Sequence, residues 1–566
     1  MTVLSEAKKG IVERLSAALD GAPVHIEELE TPPQPDWGDL AFPCFRLAQD
    51  LRKPPVEIAR ELAESCKPDG LIASAEAAGP YVNFRFDRAA FMRQAVEDIL
   101  AGAGPLGGLR VHGDEKVMIE YGQPNTHKEF HVGHLRNVSL GLSVVLLERS
   151  VGRQVIPVSY IGDVGAHVAR ILWAYRRWHL DDQIPEDKGK FLGAIYTEAT
   201  REVEEHPELK EEVSEVQRLL EARDGTWWSL WERTRRWSLD EFEAIFKELG
   251  ATFERVYYES EVEEEGKRLA QELLKEGVAK RSQGAVVVDL EDEDLGVFLI
   301  LKSDGAALYA TKELALAQLK FREFTGISKS VHVVDTRQSL YFRQFFATLR
   351  RMGFDKELEH LSYEFVTLKE GAMSSRSGNV VTYRDFRDEM LRRTRQETQE
   401  RHPDWGGERI DRAAWTIAEG AMKFGMLKQD PDKPIVFDIE EAISFDGFTG
   451  PYVQYAHARL SSILSKTAGQ EGSWSAGESP EAEYSLVRRL ADFPETVAAA
   501  AAGHRPSLLA QYLFELAQVT SSFYRDVPVL AAEEPDRGRR VLIARAARSV
   551  LAEGLGLLGI GAPDEM

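Results

Sequence analysis

The stretch Pro124-Asn125-Thr126-His127-Lys128-Glu129-Phe130-His131-Val132-Gly133-His134-Leu135-Arg136-Asn137 decides how this chain of 566 residues is read. To its left, Val117-Met118-Ile119-Glu120-Tyr121 is short, apolar and bounded by Gly122 and Pro124, the pattern of a buried strand. To its right, Val138, Leu140, Leu142, Val145, Leu146 and Leu147 predict a helix that Gly152 stops. A polar loop between a parallel strand and a helix is where open α/β sheets bind nucleotides, because the first helical turn offers unpaired N–H groups and the positive end of the dipole.

Within the loop, Gly133 lets a ligand approach closely, and His131 and His134 lack the spacing of four that puts two zinc ligands on one helical face. The loop is therefore suited to phosphate, and no structural metal is expected. Two imidazoles on a first turn can donate hydrogen bonds to a phosphate whose charge grows during attack, which stabilises the transition state selectively. The competing reading, histidines that only cap a helix, stays open on these residues alone.

Composition bounds the rest. The chain has 43% hydrophobic and 29% charged residues, as in a soluble globular protein, and its length suits three or four domains. Cys44 and Cys66 are too few for a disulfide framework or a four-cysteine zinc site. No apolar run approaches membrane-spanning length and Met1 to Gly10 carries no apolar signal core, so the expectation is a cytoplasmic protein with no membrane partner. The net charge of −23 argues against a polyanionic partner only weakly, since charges are screened over about 8 Å at physiological ionic strength. Arg343, Arg350 and Arg351, and Arg392, Arg393, Arg395 and Arg401, are either local basic faces or ordinary solvated helix surfaces.

The organisation is an α/β fold with flanking domains. Residues 1–105 alternate amphipathic helices with proline turns and end in the strand pattern Tyr81-Val82-Asn83-Phe84-Arg85-Phe86, a small α+β domain closed by Gly102, Gly104, Pro105, Gly107 and Gly108. Residues 106–410 alternate strand and helix patterns, with strands at Val155 to Ile161, Ala285 to Leu290, Val297 to Leu301 and Val331 to Val334, which argues for a mostly parallel sheet. A Glu-rich stretch at about 181–265 reads as a helical insertion. From about residue 410 strands cease; Tyr512, Leu513, Leu516, Val519 and Phe523, and again Val541 to Leu558, keep helical spacing, so residues 411–566 form an all-α bundle.

A second chemical feature is Leu368-Lys369-Glu370-Gly371-Ala372-Met373-Ser374-Ser375-Arg376-Ser377-Gly378-Asn379-Val380-Val381. Its glycines, hydroxyls and cations cannot pack a core, which predicts a surface loop, either an ordinary connection or a lid over the phosphate site.

These two segments carry a resemblance. His131-Val132-Gly133-His134 is similar to the HIGH motif of class I aminoacyl-tRNA synthetases, and Ala372-Met373-Ser374-Ser375-Arg376 resembles a degenerate KMSKS loop. Pro124-Asn125 with Lys128, Leu308-Tyr309-Ala310-Thr311-Lys312 and Gly450-Pro451-Tyr452-Val453-Gln454-Tyr455-Ala456-His457-Ala458-Arg459 resemble the arginyl-tRNA synthetase family in particular, and the likeness spans essentially the whole chain. It implies a Rossmann-like catalytic domain, an amino-terminal domain touching the outer corner of tRNA, and a helical anticodon-binding domain. The implied reaction joins L-arginine to its tRNA through arginyl adenylate, with ATP and Mg2+ as co-substrates, activation dependent on bound tRNA, and a monomeric enzyme.

Position by position, the resemblance implies that His131, Gly133, His134 and Met373 bind ATP, with Lys128, His131, His134, Ser374 and Arg376 catalytic. In the family a lysine just before the HIGH motif substitutes for a missing loop lysine; here Lys128 stands there, while Ala372 and Ser375 occupy both lysine positions of the loop. Arginine recognition would fall to Glu120, Gln123, Asn125, His134, Tyr309, Glu313 and Gln338, since a guanidinium is a fork of donors that needs carboxylates and carbonyls. Glu313 stands where the family usually has aspartate, and Gln123 where it often has serine. Tyr452 and Tyr455 offer stacking platforms for unpaired bases and Arg459 a phosphate or base contact; tyrosines at this spacing equally suit helix packing. Three rivals remain at this stage: a nucleotidylyltransferase, a catalytically silent RNA-binding paralogue, and a synthetase for another amino acid.

Overall fold

A computed structural model describes residues 2–101, 104–106, 109, 112–113, 115–369, 381–467, 472–474 and 479–566. The amino-terminal unit packs α1 (Val3–Ala18), α2 (Leu47–Leu51), α3 (Pro55–Ser65) and α4 (Arg88–Leu100) on an antiparallel sheet of β1 (Leu40–Pro43), β2 (Ile72–Ala78) and β3 (Tyr81–Phe86), in the order β1-β3-β2. The expected strand at 81–86 is its central one. This unit is tied to the carboxy-terminal bundle by Lys8–Glu495 at 2.5 Å and Arg88–Glu481 at 2.7 Å.

The catalytic sheet has five parallel strands: β4 (Lys116–Glu120), β5 (Gln154–Ile161), β6 (Arg255–Tyr258), then β10 (Ile327–Asp335) and β11 (Glu357–Tyr363), in the spatial order β11-β10-β4-β5-β6. Between β4 and β5 runs α5 (Val132–Ser150), ended by Gly152 at φ +99° as its sequence predicts. α5 is buried on nearly every face because it is apolar nearly all round, lying between the sheet and the carboxy-terminal bundle. β5 is followed by α6 (Ala166–Trp178), α7 (Lys188–Glu205), α8 (Leu209–Glu221) and α9 (Gly225–Glu248), which gather around Trp173, Trp231 and Trp237 in a core of their own. After β6 come α10 (Glu259–Lys275), α11 (Tyr309–Glu323) and α12 (Ser339–Arg351).

Three expectations are corrected. The Glu-rich insertion does not reach 265: β6 and the start of α10 lie inside that span, and β6 pairs with β5 from Val158↔Arg255 to Ile161↔Tyr258. The strands at 285–290 and 297–301 do not join the parallel sheet. They are β8 (Ala285–Leu290) and β9 (Gly296–Leu301), an antiparallel hairpin with β7 (Lys280–Ser282), because the connection at 291–295 is far too short for a crossover. Nor do strands cease at 410, since β13 (Ile435–Phe437) pairs in parallel with β12 (Val366–Leu368).

The bundle comprises α13 (Tyr383–Arg401), α14 (Gly407–Leu427), a short α15 (Ile439–Ala442), α16 (Gly450–Lys466), α17 (Glu481–Ala491), α18 (Phe493–Ala502), α19 (Pro506–Asp526) and α20 (Asp536–Leu557). It is locked to the far end of α5: Glu148, fully buried, accepts from His504 Nε2 at 2.7 Å, while His504 Nδ1 lies 2.7 Å from Glu359 on β11. Burial opposes charge on His504, but the two carboxylates outweigh it and hold its pKa above the ordinary value. The last residues are pinned as well, Gly561 and Pro563 carbonyls accepting from Gln454 and His457 at 2.8 Å each.

α10 and α11, which deliver several cleft residues, cross at Gly266, where an added Cβ would fall on the Thr311 carbonyl oxygen. Because that neighbour is backbone, Gly266→Ala is expected to cost about 1–3 kcal/mol, read as a lower urea midpoint at unchanged slope.

Candidate active site

All five parallel strands end on one open cleft of about 1090 Å³, lined from β4 and its loop by Glu120, Gln123 and Asn125, from α5 by His131, Gly133, His134, Arg136 and Asn137, from α10 and α11 by Glu259, Tyr309 and Glu313, and from the β10 turn by Gln338. This is the carboxyl edge where open α/β sheets take ligands.

His131 is the N-cap of α5. Its Nδ1 accepts from the Gly133 N–H at 3.1 Å and the His134 N–H at 3.4 Å, while His134 Nδ1 accepts from the His131 N–H at 3.2 Å. The rings stack with centroids 3.7 Å apart. Because backbone donors occupy both Nδ1 atoms, each neutral ring carries its proton on Nε2 and presents a donor. Burial, reinforced by the Lys128 charge, pushes His131 down to about 4, and burial with the adjacent His131 drives His134 well below its ordinary value. Gly133 has a second reason to be glycine: a Cβ there would stand 3.0 Å from the His131 ring. The histidines are thus caps and donors at once.

The opposite half of the cleft is acidic. Glu259, at the start of α10, pairs with buried Lys312 at 2.5 Å. Glu313, one helical turn from Tyr309 on α11, is raised to about 8 by burial and by Glu259, with Lys312 and Tyr341 opposing. The Tyr160 hydroxyl is buried beside these acids with no hydrogen-bond partner among the described residues, and the Tyr341 hydroxyl faces Glu313. Tyr309 is 56% exposed and forms the rim. Asn125 meets this half over Gly162, where any Cβ would overlap the Asn125 carboxamide and lie 3.5 Å from Glu259 Oε1. The arrangement offers buried anions and phenols to a cationic donor fork entering past Tyr309.

Among the expected site residues, His131, Gly133, His134, Gln123, Asn125, Tyr309, Glu313 and Gln338 come together here. Glu120 also lines the cleft, but its carboxylate is taken by Lys320, and Gln123 Nε2 donates to it at 3.3 Å. It is a structural ion pair because β4 places it inside the sheet edge, between Lys320 and His332. Lys128 does not line the cleft; its Nζ rests 5.1 Å from the Tyr196 ring on α7, although its charge reaches both histidines. Met373, Ser374 and Arg376 lie outside the described residues. Glu259 escaped the sequence reading because Tyr257-Tyr258-Glu259 was absorbed into the Glu-rich stretch, a strand ending in a carboxylate being the available signal; Tyr160 and Tyr341 escaped because nothing in a strand or helix pattern marks which tyrosine turns toward the cleft. Arg136 also escaped: its Nη2 donates to the Pro431 and Lys433 carbonyls at 2.9 and 3.0 Å, while Nε and Nη1 are buried without partners.

On the bundle, Tyr455 and Arg459 form a surface ladder: Arg401 lies 4.0 Å over Phe445, Phe445 meets Tyr455 edge-on, and Arg459 sits 5.1 Å from Tyr455 and 4.2 Å from Tyr524. Tyr452 instead packs on Phe514 at 5.6 Å. The other basic clusters are mostly neutralised: Arg350 and Arg351 by Glu293 and Asp292, Arg392 and Arg393 by Glu389, and Arg395 by Asp411.

Comparison with known proteins matches three family models in order: the arginyl tRNA synthetase N-terminal domain at residues 5–86, the class I (R) tRNA synthetase catalytic domain at 95–439, and the DALR anticodon-binding domain at 453–566. The chain belongs to the arginyl-tRNA synthetase family. It is 40% identical to the arginine–tRNA ligase of Bdellovibrio bacteriovorus, with 95% of this chain and 94% of that one aligned. The solved arginyl-tRNA synthetase of Thermus thermophilus superposes with a TM-score of 0.80 at 31% identity, covering 99% of this chain and 100% of that one. The Plasmodium falciparum arginyl-tRNA synthetase, at 17% identity and TM-score 0.79 with both chains fully covered, shares the fold. The expected class I architecture with amino-terminal and helical carboxy-terminal domains is thereby confirmed.

Since His131 titrates near 4 and His134 below its ordinary range, both stay neutral at physiological pH. The ring 15N resonances of His131 and His134 are therefore expected to show no titration between pH 6 and 8; a chemical-shift change centred near 6.5 would contradict neutral donors.

Proposed function

We propose that the chain is an arginine–tRNA ligase acting in the cytoplasm as a monomer, with domains at 1–105, 106–410 and 411–566. The observation that carries this reading is one cleft with two chemically opposite halves: neutral imidazole donors at a helix N-terminus, and buried carboxylates behind a tyrosine rim. The first half suits a triphosphate and the second a guanidinium.

In the first step the arginine carboxylate attacks the α-phosphorus of ATP, the bond to the β-phosphate oxygen breaks, and pyrophosphate leaves arginyl adenylate behind. Magnesium enters with ATP as part of the substrate. The Nε2–H groups of His131 and His134 donate to phosphate oxygens as charge develops, and Gly133 admits the nucleotide. Lys128, swung from Tyr196, neutralises pyrophosphate, with Met373 assigned to ATP and Ser374 and Arg376 to catalysis by the family resemblance alone. In the second step the terminal ribose 2′-hydroxyl of the tRNA attacks the arginyl carbonyl and AMP departs.

Arginine is held by Glu313 and Glu259 at its guanidinium, by Tyr309 and Gln338 along its stem, and by Asn125 and Gln123 near its main-chain end. Glu120 contributes by orienting Gln123. Tyr455 and Arg459 offer stacking and charge to the anticodon, whereas Tyr452 supports them from within the bundle.

Aminoacylation with all twenty amino acids and total tRNA tests the reading: arginine alone is expected to be charged. His134→Ala is expected to slow arginine-dependent pyrophosphate exchange about 100-fold or more while tRNA binding is retained. Exchange is also expected to require tRNA, and robust exchange without it would overturn that clause.

The arginine pocket has a pH signature of defined sign. Below about 8 Glu313 is protonated in the empty pocket, so cationic arginine must displace a proton, and its KM is expected to fall about tenfold from pH 6.5 to 8. Glu313→Gln should raise KM and flatten that dependence.

A further inference from the structure

One helix of the insertion touches both halves of the cleft through a single stripe of side chains. On α9, Trp231, Thr234, Arg235 and Ser238 follow the spacing of one helical face. Thr234 and Ser238 grip the histidine loop: His127 Nε2 lies 2.8 Å from Thr234 Oγ1, and the His127 N–H donates to Ser238 Oγ at 2.8 Å. The Thr234 hydroxyl already donates to the Leu230 carbonyl at 2.9 Å, so it accepts from His127, whose proton therefore sits on Nε2. His127 is fully buried and holds a left-handed backbone at φ +65°, a strained conformation for a non-glycine residue that persists only where its surroundings enforce it. Lys128 follows immediately, and His131 begins α5 three residues later.

Arg235 and Trp231 grip the other half. Arg235 Nε donates to the fully buried Asp163 carboxylate at 2.7 Å, and the Trp231 indole donates to the Asp163 carbonyl at 2.7 Å. The same carboxylate accepts from the Ser260 backbone N–H at 2.9 Å and the Ser260 hydroxyl at 2.7 Å. Ser260 follows Glu259, so Asp163 fixes the first turn of α10 and with it the carboxylate paired to Lys312. Arg235 also lies 4.2 Å over the Tyr258 ring, on the other side of Glu259.

We propose that the α9 stripe is the positioning element of both half-sites, Thr234 and Ser238 holding the nucleotide loop and Arg235 holding the arginine carboxylates through Asp163. These residues touch neither substrate; they act through His127 and Asp163. The insertion thereby reaches the two half-sites by separate contacts on one helix. This rests on the assignment of the two half-sites given above.

The test uses the full-length protein, with L-arginine binding and ATP binding measured separately by calorimetry and pyrophosphate exchange measured with tRNA present. Arg235→Ala is expected to weaken arginine binding about tenfold, the scale of a lost charged hydrogen bond, with ATP binding unchanged. Thr234→Val is expected to do the reverse, weakening ATP binding or slowing exchange about three- to tenfold with arginine binding unchanged. Thr234→Ser, which keeps the hydroxyl, should restore parent values. Both variants should keep the parent circular-dichroism spectrum and tRNA affinity. If each variant weakens both ligands equally, α9 is only a scaffold and the proposal fails; it fails too if neither binding constant moves. Failure of the parent protein to bind arginine would instead overturn the site assignment itself.

Discussion

The reciprocal cap at the start of α5 is the constraint on which the site depends. A helix N-terminus leaves four N–H groups without partners, and here two of them, with the cap residue's own N–H, are consumed by imidazole nitrogens. That choice does three things together. It anchors both rings, selects the tautomer that presents Nε2–H, and brings the His131 ring to within 3.0 Å of where a Cβ on Gly133 would stand. Burial then keeps the rings neutral, so they donate to phosphate without adding a charge that would have to be desolvated.

Around this cap the protein distributes charge unevenly. The histidine half combines neutral imidazole donors with the cations Arg136, Arg337 and Lys369, Lys128 standing at the margin, while the other half buries two carboxyl groups against one ammonium, Lys312. Burial and the neighbouring Glu259 keep Glu313 protonated below about pH 8, and a bound cation would favour its ionised form, so two carboxyl groups with one ammonium suit a guanidinium guest. The Tyr160 hydroxyl, in the cleft wall without a partner among the described residues, is a further sign that the pocket is built for a guest rather than for its own packing.

α5 also joins the parallel-sheet domain to the carboxy-terminal bundle. Its N-terminus makes the nucleotide loop, its middle packs on β4 and β10, and its C-terminus is held by His504 of the bundle through Glu148. A rod with an end in each domain transmits displacement more readily than a loop, since the packed faces along it cannot slide continuously. The stripe on α9 adds a second such rod from the insertion side, reaching the same cleft by His127 and Asp163.

The strand at 116–120, the helix from 132 and the two-histidine loop were legible in sequence because each rests on local rules: an apolar run, a 3.6-residue period, and a glycine stop. The motifs at 131–134, 309–312 and 450–459 identified the family for the same reason, being contiguous. What stayed hidden was every contact made across the fold. Glu259 and Glu120 are both acids at strand ends, and only the sheet order shows that one faces Tyr309 while the other is spent on Lys320. The hairpin at 285–301 read as parallel because alternation sets strand type, not partner, and partner choice is made by the length of the connection and by the surface each strand meets. Thus sequence alone determined the fold class, the catalytic loop and the reaction family, which are written in neighbouring residues. Tertiary structure decided the acidic half of the cleft and the α9 stripe, because an ion pair or hydrogen bond between distant residues is worth something only after packing has excluded water and brought its partners within reach.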